Sequence, residues 1–138
     1  LQIFAPQAVH AVELVKAYPE VRFILLHSGM LFDRSASGIG QWREALALLA
    51  SYPNVAVKIS GLGMFSGGIT YPQIRQVIRD CIQIFGVSRT IFGSNFPLEK
   101  LHMSYTDFIS LYKKVLSEYA PQEQRQIFYE NAQTFYRI

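Results

Sequence analysis

Apolar positions along the chain switch between a period of two and a period of three to four several times. Val21 to His27 is a nearly continuous apolar run stopped by Ser28-Gly29, the pattern of a strand covered on both faces, with His27 expected on the side of Leu25 and Phe23. Val55 to Ser60 alternates, with Val55, Val57 and Ile59 on one face and Ala56, Lys58 and Ser60 on the other. Arg89 to Leu98 begins as a strand, runs into Gly93-Ser94-Asn95 and is stopped by Pro97, which has no N–H to give a sheet. Alternation there places Ile91, Gly93 and Asn95 on one face and Phe92 and Ser94 on the other, with the strand ending near Ser94. Gln2-Ile3-Phe4 reads as the end of a fourth strand.

Helical spacing fills the intervals. Pro6 opens a helix striped by Ala8, Ala11, Val12, Val15 and Tyr18 and closed by Pro19. A polar loop, Met30 to Gly40, leads to a helix from Gln41 to Tyr52 that buries Trp42, Ala45, Leu46, Leu48 and Leu49. After a glycine-rich loop, Gly61 to Gly68, Thr70 with Gln73 forms a capping box for a helix reaching Phe85, with Gly86 as C-cap. Ser104 with Asp107 caps the next, whose apolar face carries Tyr105, Phe108, Ile109, Tyr112, Val115, Leu116 and Tyr119. Pro121 starts a last helix burying Ile127, Phe128, Ala132, Phe135 and Tyr136.

Strand and helix thus repeat about every 35 residues, the pattern of parallel strands joined by right-handed crossovers. Two α/β architectures fit: a single unit over 1–138 that is the C-terminal half of a (β/α)₈ TIM barrel, or a small open doubly wound parallel sheet. The half-barrel is preferred because Ala56, Lys58 and Ser60 make a face too polar for the middle of a doubly covered sheet. A half-barrel would expose two strand edges and an inner face bearing Phe23, Leu25 and Ile91, so the expected partners are a second copy of the chain or an absent N-terminal half. The chain alone is expected to be incomplete for catalysis, and the alternative to an enzyme is a catalytically silent half-barrel that only folds or self-associates.

Of the 138 residues, 50% are hydrophobic, enough for a real core. The net charge of +3 comes from scattered Lys and Arg without a basic stripe, which argues against nucleic acid as a partner. Apolar runs such as Ala45 to Ala50 are far short of the roughly 20 residues that span a bilayer, and no leader pattern is present, so the chain reads as soluble and cytoplasmic. The lone Cys81 sits at helical spacing with Val77, Ile78 and Phe85 and is expected in the core.

Ligands meet parallel α/β proteins at the carboxyl ends of the strands. Three polar side chains fall there, one per repeat unit: His27, Lys58 and Asn95. A lysine on a buried strand face costs several kcal/mol unless paired, so Lys58 calls for a carboxylate or a bound anion. Asn95 donates and accepts hydrogen bonds but cannot act as a base; alternatively it forms an Asx turn ahead of Phe96-Pro97. Asp33 and Glu99, in the loops beyond, read as solvated charges. Gly61-Leu62-Gly63 is a weak nucleotide-binding signal, and no P-loop, Gly-x-Ser-x-Gly or dinucleotide fingerprint is present.

Four ordered stretches, Phe23 to Met30, Pro53 to Gly63, Ile91 to Pro97 and Asn131 to Arg137, together resemble the C-terminal half of the amidohydrolase-2 family over essentially the whole chain. The resemblance implies strands five to eight of a TIM barrel and hydrolysis of small C–O or C–N substrates, often lactones of carboxylated rings, with decarboxylases as relatives. It implies a divalent metal, commonly zinc, that makes bound water nucleophilic near neutral pH. His27 matches a histidine at the end of the sixth strand, a metal ligand or acid/base, and Lys58 a lysine on the seventh. With Ser60 beside it, Lys58 is the expected binder of a substrate carboxylate, and Asn95 is expected to position water or a carbonyl. The family's His-x-His pair has no counterpart in these residues, and Asn95 stands where its Gly-Ser-Asp-Trp-Pro motif has aspartate, which leaves room for a metal-independent lactonase.

Overall fold

Three short strands, β1 (Phe23–Leu25), β2 (Val55–Ile59) and β3 (Thr90–Phe92), form one open parallel sheet in the order β1-β2-β3. The computed structural model describes residues 1–64 and 70–138, so the far end of the loop from Gly61 to Gly68 lies outside the described residues. Register pairs Leu25 with Val57 and Val57 with Thr90, and Ile24 with Ala56 and Lys58 with Ile91. One face, built from Leu25, Val55, Val57 and Ile59, belongs to the main apolar core, where each such side chain contributes about 1.5–3 kcal/mol by leaving water. The other face carries Ile24, Ala56, Lys58 and Ile91. Leu25 therefore points to the helices, not inward, so the expected inner face of Phe23 and Leu25 is corrected: one residue of phase reverses a strand's faces.

The helices are α1 (Ala8–Ala17), α2 (Ala36–Ala50), α3 (Tyr71–Phe85), α4 (Tyr105–Leu116), α5 (Pro121–Arg125) and α6 (Asn131–Tyr136), with a π turn, Gln126–Glu130, joining the last two. Packing runs α1 on α2, α2 on α3 and α3 on α4. α2 begins five residues before the expected Gln41 because Ser35 caps it, its side chain accepting from Gly38 N at 3.1 Å. Both other caps form where expected: Thr70 N donates to Gln73 Oε1 at 3.0 Å, and Ser104 Oγ accepts from Asp107 N at 3.1 Å.

Gln2-Ile3-Phe4 is not a strand. Leu1 makes a single parallel bridge to β1, its amino group donating to Ile24 O at 2.6 Å and its carbonyl accepting from Leu26 N at 2.7 Å, before a 3₁₀ turn at Ala5–Gln7 takes over. Tyr18, Leu48, Tyr105 and Tyr136, expected on buried faces, are exposed at 50%, 37%, 53% and 46%. Cys81 is buried as expected, and burial pushes its thiol up to about 12. Among the described residues no helix is long and apolar enough to cross a membrane.

Asn131, first of the last motif, serves the fold. Its buried Nδ2 donates to Val87 O at 2.7 Å and Thr90 O at 2.8 Å, tying α6 to the start of β3. Asn131→Ala is expected to lower stability by about 1–3 kcal/mol, the cost of stranding buried acceptors, read as a drop in urea midpoint at unchanged slope. An unchanged midpoint would mean water replaces the amide.

Candidate active site

β1 ends in a left-handed turn. His27, Ser28, Gly29 and Met30 have φ of 53°, 53°, 68° and 49°, a conformation that non-glycine residues avoid and that persists only where the surroundings enforce it. Trp42 Nε1 donates to Ser28 O at 2.6 Å and Gly29 N to Leu26 O at 3.0 Å, which supplies that enforcement. Because strand alternation stops at Leu25, the His27 ring leaves the side of Leu25 expected for it. Its Nδ1 lies 3.1 Å from Ser60 Oγ, at the end of β2. Gly61 permits this approach: its φ is +64°, and a Cβ there would stand 2.6 Å from His27 Nδ1.

Lys58 lies on the inner face of β2, half-buried, with Gly93 beside it, where a Cβ would meet Lys58 Cε at 2.5 Å and Ser60 Cβ at 3.2 Å. Its Nζ donates to Tyr136 Oη at 3.3 Å and sits 5.6 Å over that ring. Among the described residues no carboxylate pairs with it. In place of the carboxylate called for on sequence grounds stands a tyrosine hydroxyl and ring, and Lys58 remains available to an anion.

Asn95 follows β3 with φ 56°, in the left-handed region that asparagine tolerates. The Asx turn does not form. Ser94 Oγ accepts from Phe96 N at 3.3 Å instead, and the Asn95 amide donates to Glu99 Oε1, also at 3.3 Å. Glu99, expected as a solvated charge, is 1% exposed, and its Oε2 has no hydrogen-bond partner among the described residues. The one-turn spacing from Asn95 was the signal that could have found it, since a 3₁₀ turn at Leu98–Leu101 folds the carboxylate back under the strand end. Asp33 is exposed as expected, its carboxyl held below the usual range by hydrogen bonds from Ser35.

His27, Ser60, Lys58, Asn95 and Glu99 therefore gather at the carboxyl ends of three adjacent strands. Gly61-Leu62-Gly63 is the wall between them, its first glycine against His27 and its second against Glu99. That explains the glycine spacing without a nucleotide. A cleft of about 240 Å³ lined by Trp42, Pro72, Gln76 and Asp80 holds none of these side chains. Burial and then the charge of Lys58 push the His27 pKa down, while Glu99 pulls it partly back, so the imidazole is neutral at pH 7. Stability linked to His27 is accordingly full above an unfolded histidine's pKa of about 6.5 and is lost as pH falls below it, because the unfolded chain binds the proton more readily. Melting temperature should drop between pH 7.5 and 5.5, and less so in His27→Gln; equal drops would assign the dependence elsewhere.

The donor set does not by itself fit a metal. Among the described residues no three of His, Cys, Asp or Glu come together as a metal site, whereas zinc takes three or four protein donors.

The chain is 41% identical over all 138 residues to the uncharacterized protein y4mH of Sinorhizobium fredii, covering 46% of that protein. It is 30% identical over 131 residues to an L-fucono-1,5-lactonase of Burkholderia ambifaria, covering 89% of this chain and 44% of that enzyme. Among solved structures, an amidohydrolase of Burkholderia multivorans with bound HEPES superposes with a TM-score of 0.90 at 26% identity over 99% of this chain and 52% of its own. The same protein in a second crystal form, with bound zinc, superposes equally well at 24% identity. The chain thus spans about half the length of the curated relatives it matches, and its three parallel strands with their helices are an α/β piece of a TIM-barrel amidohydrolase. With the family profile described as Amidohydrolase matching residues 1–138 from end to end, the chain belongs to the amidohydrolase family.

Proposed function

We propose that the whole protein hydrolyses the C–O ester bond of a small carboxylated lactone at the carboxyl ends of β1, β2 and β3. The observation that carries this reading is Lys58, a half-buried ammonium with no carboxylate partner among the described residues, beside the His27–Ser60 pair and Asn95. Lys58 binds the substrate carboxylate, with Ser60 next to it. His27, neutral at pH 7, takes a proton from the attacking water and returns it to the leaving alkoxide, which opens the ring to a hydroxy acid. Asn95 orients the water or the carbonyl and cannot take the proton itself.

The L-fucono-1,5-lactonase relative supports lactone over amide. A zinc ion, as bound by the Burkholderia multivorans relative, would need donors besides His27, and the steps assigned to these side chains do not depend on it. The test is acid release by the whole protein from a carboxylated 1,5-lactone and from the matching lactam. Lactone opening with the lactam intact is expected; turnover of the lactam alone would overturn the reading.

A further inference from the structure

An asparagine at a strand end can present either its carbonyl or its amino group, because the two differ only by a half-turn of the side chain. Here the choice is made by a neighbour. A carboxylate accepts hydrogen bonds and does not donate them, so the amide atom 3.3 Å from Glu99 Oε1 is Nδ2, and Oδ1 faces the other way. Three features hold this arrangement. The Asn95 amide is not consumed by a local turn, since Ser94 Oγ takes the Phe96 N–H at 3.3 Å. Glu99 is fixed by its own backbone, Glu99 N donating to Asn95 O at 3.4 Å. Its head is seated against Gly63, where a Cβ would stand 2.6 Å from Oε2 and 3.0 Å from the His102 ring.

This seating is costly. A carboxylate 1% exposed, with one oxygen unpartnered and no ion pair among the described residues, weakens a fold that an apolar side chain of equal volume would serve better. A structural glutamate would have both oxygens satisfied. We propose that Glu99 is a positioning residue of this site, holding the Asn95 amide by Nδ2 so that Oδ1 is presented as an acceptor to the hydrolytic water or a ligand hydroxyl. The assignment deepens the lactonase reading and, for its kinetic consequence, rests on it. Glu99 also lies within electrostatic reach of His27, which places the pair inside the same cluster.

The test reads the Asn95 side-chain amide in the ¹⁵N-labelled whole protein, its signal identified by loss in Asn95→Gly. In the wild type one of the two amide protons is expected well downfield of its twin and protected from exchange with water. Glu99→Met fills the same space without an acceptor and should collapse that separation, while Glu99→Gln, which keeps a carbonyl, should retain most of it. In the whole protein Glu99→Met should lower lactone kcat about tenfold or more with KM within about twofold, and Glu99→Gln should recover most of the loss. An unchanged Asn95 signal in Glu99→Met overturns the proposal, as does wild-type exchange as fast as that of an amide in water, a measurement that needs no variant. The spectra do not depend on turnover, so a protein without lactonase activity would sink the reaction and leave this pair decided on its own.

Discussion

Lys58→Ala is expected to raise KM for a carboxylated lactone about a hundredfold while leaving an uncharged lactone little affected. A charge-assisted hydrogen bond contributes about 1.5–3 kcal/mol, and each 1.4 kcal/mol is a factor of ten, so loss of the ammonium alone accounts for that range. The effect should fall on binding and not on the chemical step for a lactone whose carboxylate is remote from the bond that breaks. Tyr136→Phe is the control. It removes the acceptor of the Lys58 bond but keeps the ring under the ammonium, so KM should stay within a few-fold of wild type. Steady-state kinetics on the charged and uncharged pair decides the matter: equal KM changes for both substrates would mean that Lys58 supports the fold, not the ligand.

Trp42→Ala should destabilise the chain by about 3–5 kcal/mol, the usual cost of deleting a buried large aromatic. That is a large share of the roughly 5–15 kcal/mol by which domains are folded. Trp42 is 2% exposed, and its indole N–H is bonded to Ser28 O at 2.6 Å, inside the left-handed turn that carries His27. Trp42→Phe separates the two contributions, since it keeps most of the packing and loses only the hydrogen bond, for about 1–3 kcal/mol. Both substitutions should also disturb the His27 ring, because the Trp42 indole N–H holds the carbonyl of Ser28 inside the turn that carries it. Urea unfolding at constant slope reads the loss; less than about 1 kcal/mol in Trp42→Ala would show that the turn and α2 stand without the indole.

Local chemistry made much of the fold legible. The alternation in Val55 to Ser60 identified both faces of β2 because only one of them is apolar, and the caps at Thr70 and Ser104 hold as read. β1 was harder. Phe23 to Leu25 is apolar at every position, so periodicity carries no phase there, and the inward assignment of Phe23 and Leu25 failed for that reason. The Gln2-Ile3-Phe4 stretch has strand-like residues, yet the bridge to β1 is made by Leu1 ahead of it.

The site was legible as positions more than as contacts. His27, Lys58 and Asn95 lie at the strand ends where the repeat places them, and the polar inner face of β2 was visible in Lys58 and Ser60. What was hidden depends on long-range folding. Glu99 and Asp33 look alike in sequence as loop acids, yet a 3₁₀ turn buries the first and leaves the second in water. Likewise nothing in the spacing of the last helix tells Tyr136, which reaches Lys58, from the residues that pack beneath it.

The measurement that bears most directly on the whole account is turnover of a carboxylated 1,5-lactone by the whole protein and by His27→Ala, with folding of both checked by melting temperature. A loss of about a hundredfold or more in kcat in a folded His27→Ala protein is predicted, the size expected for removal of an acid/base group. Equal turnover by the two proteins would contradict the assignment of the reaction to the ends of these strands.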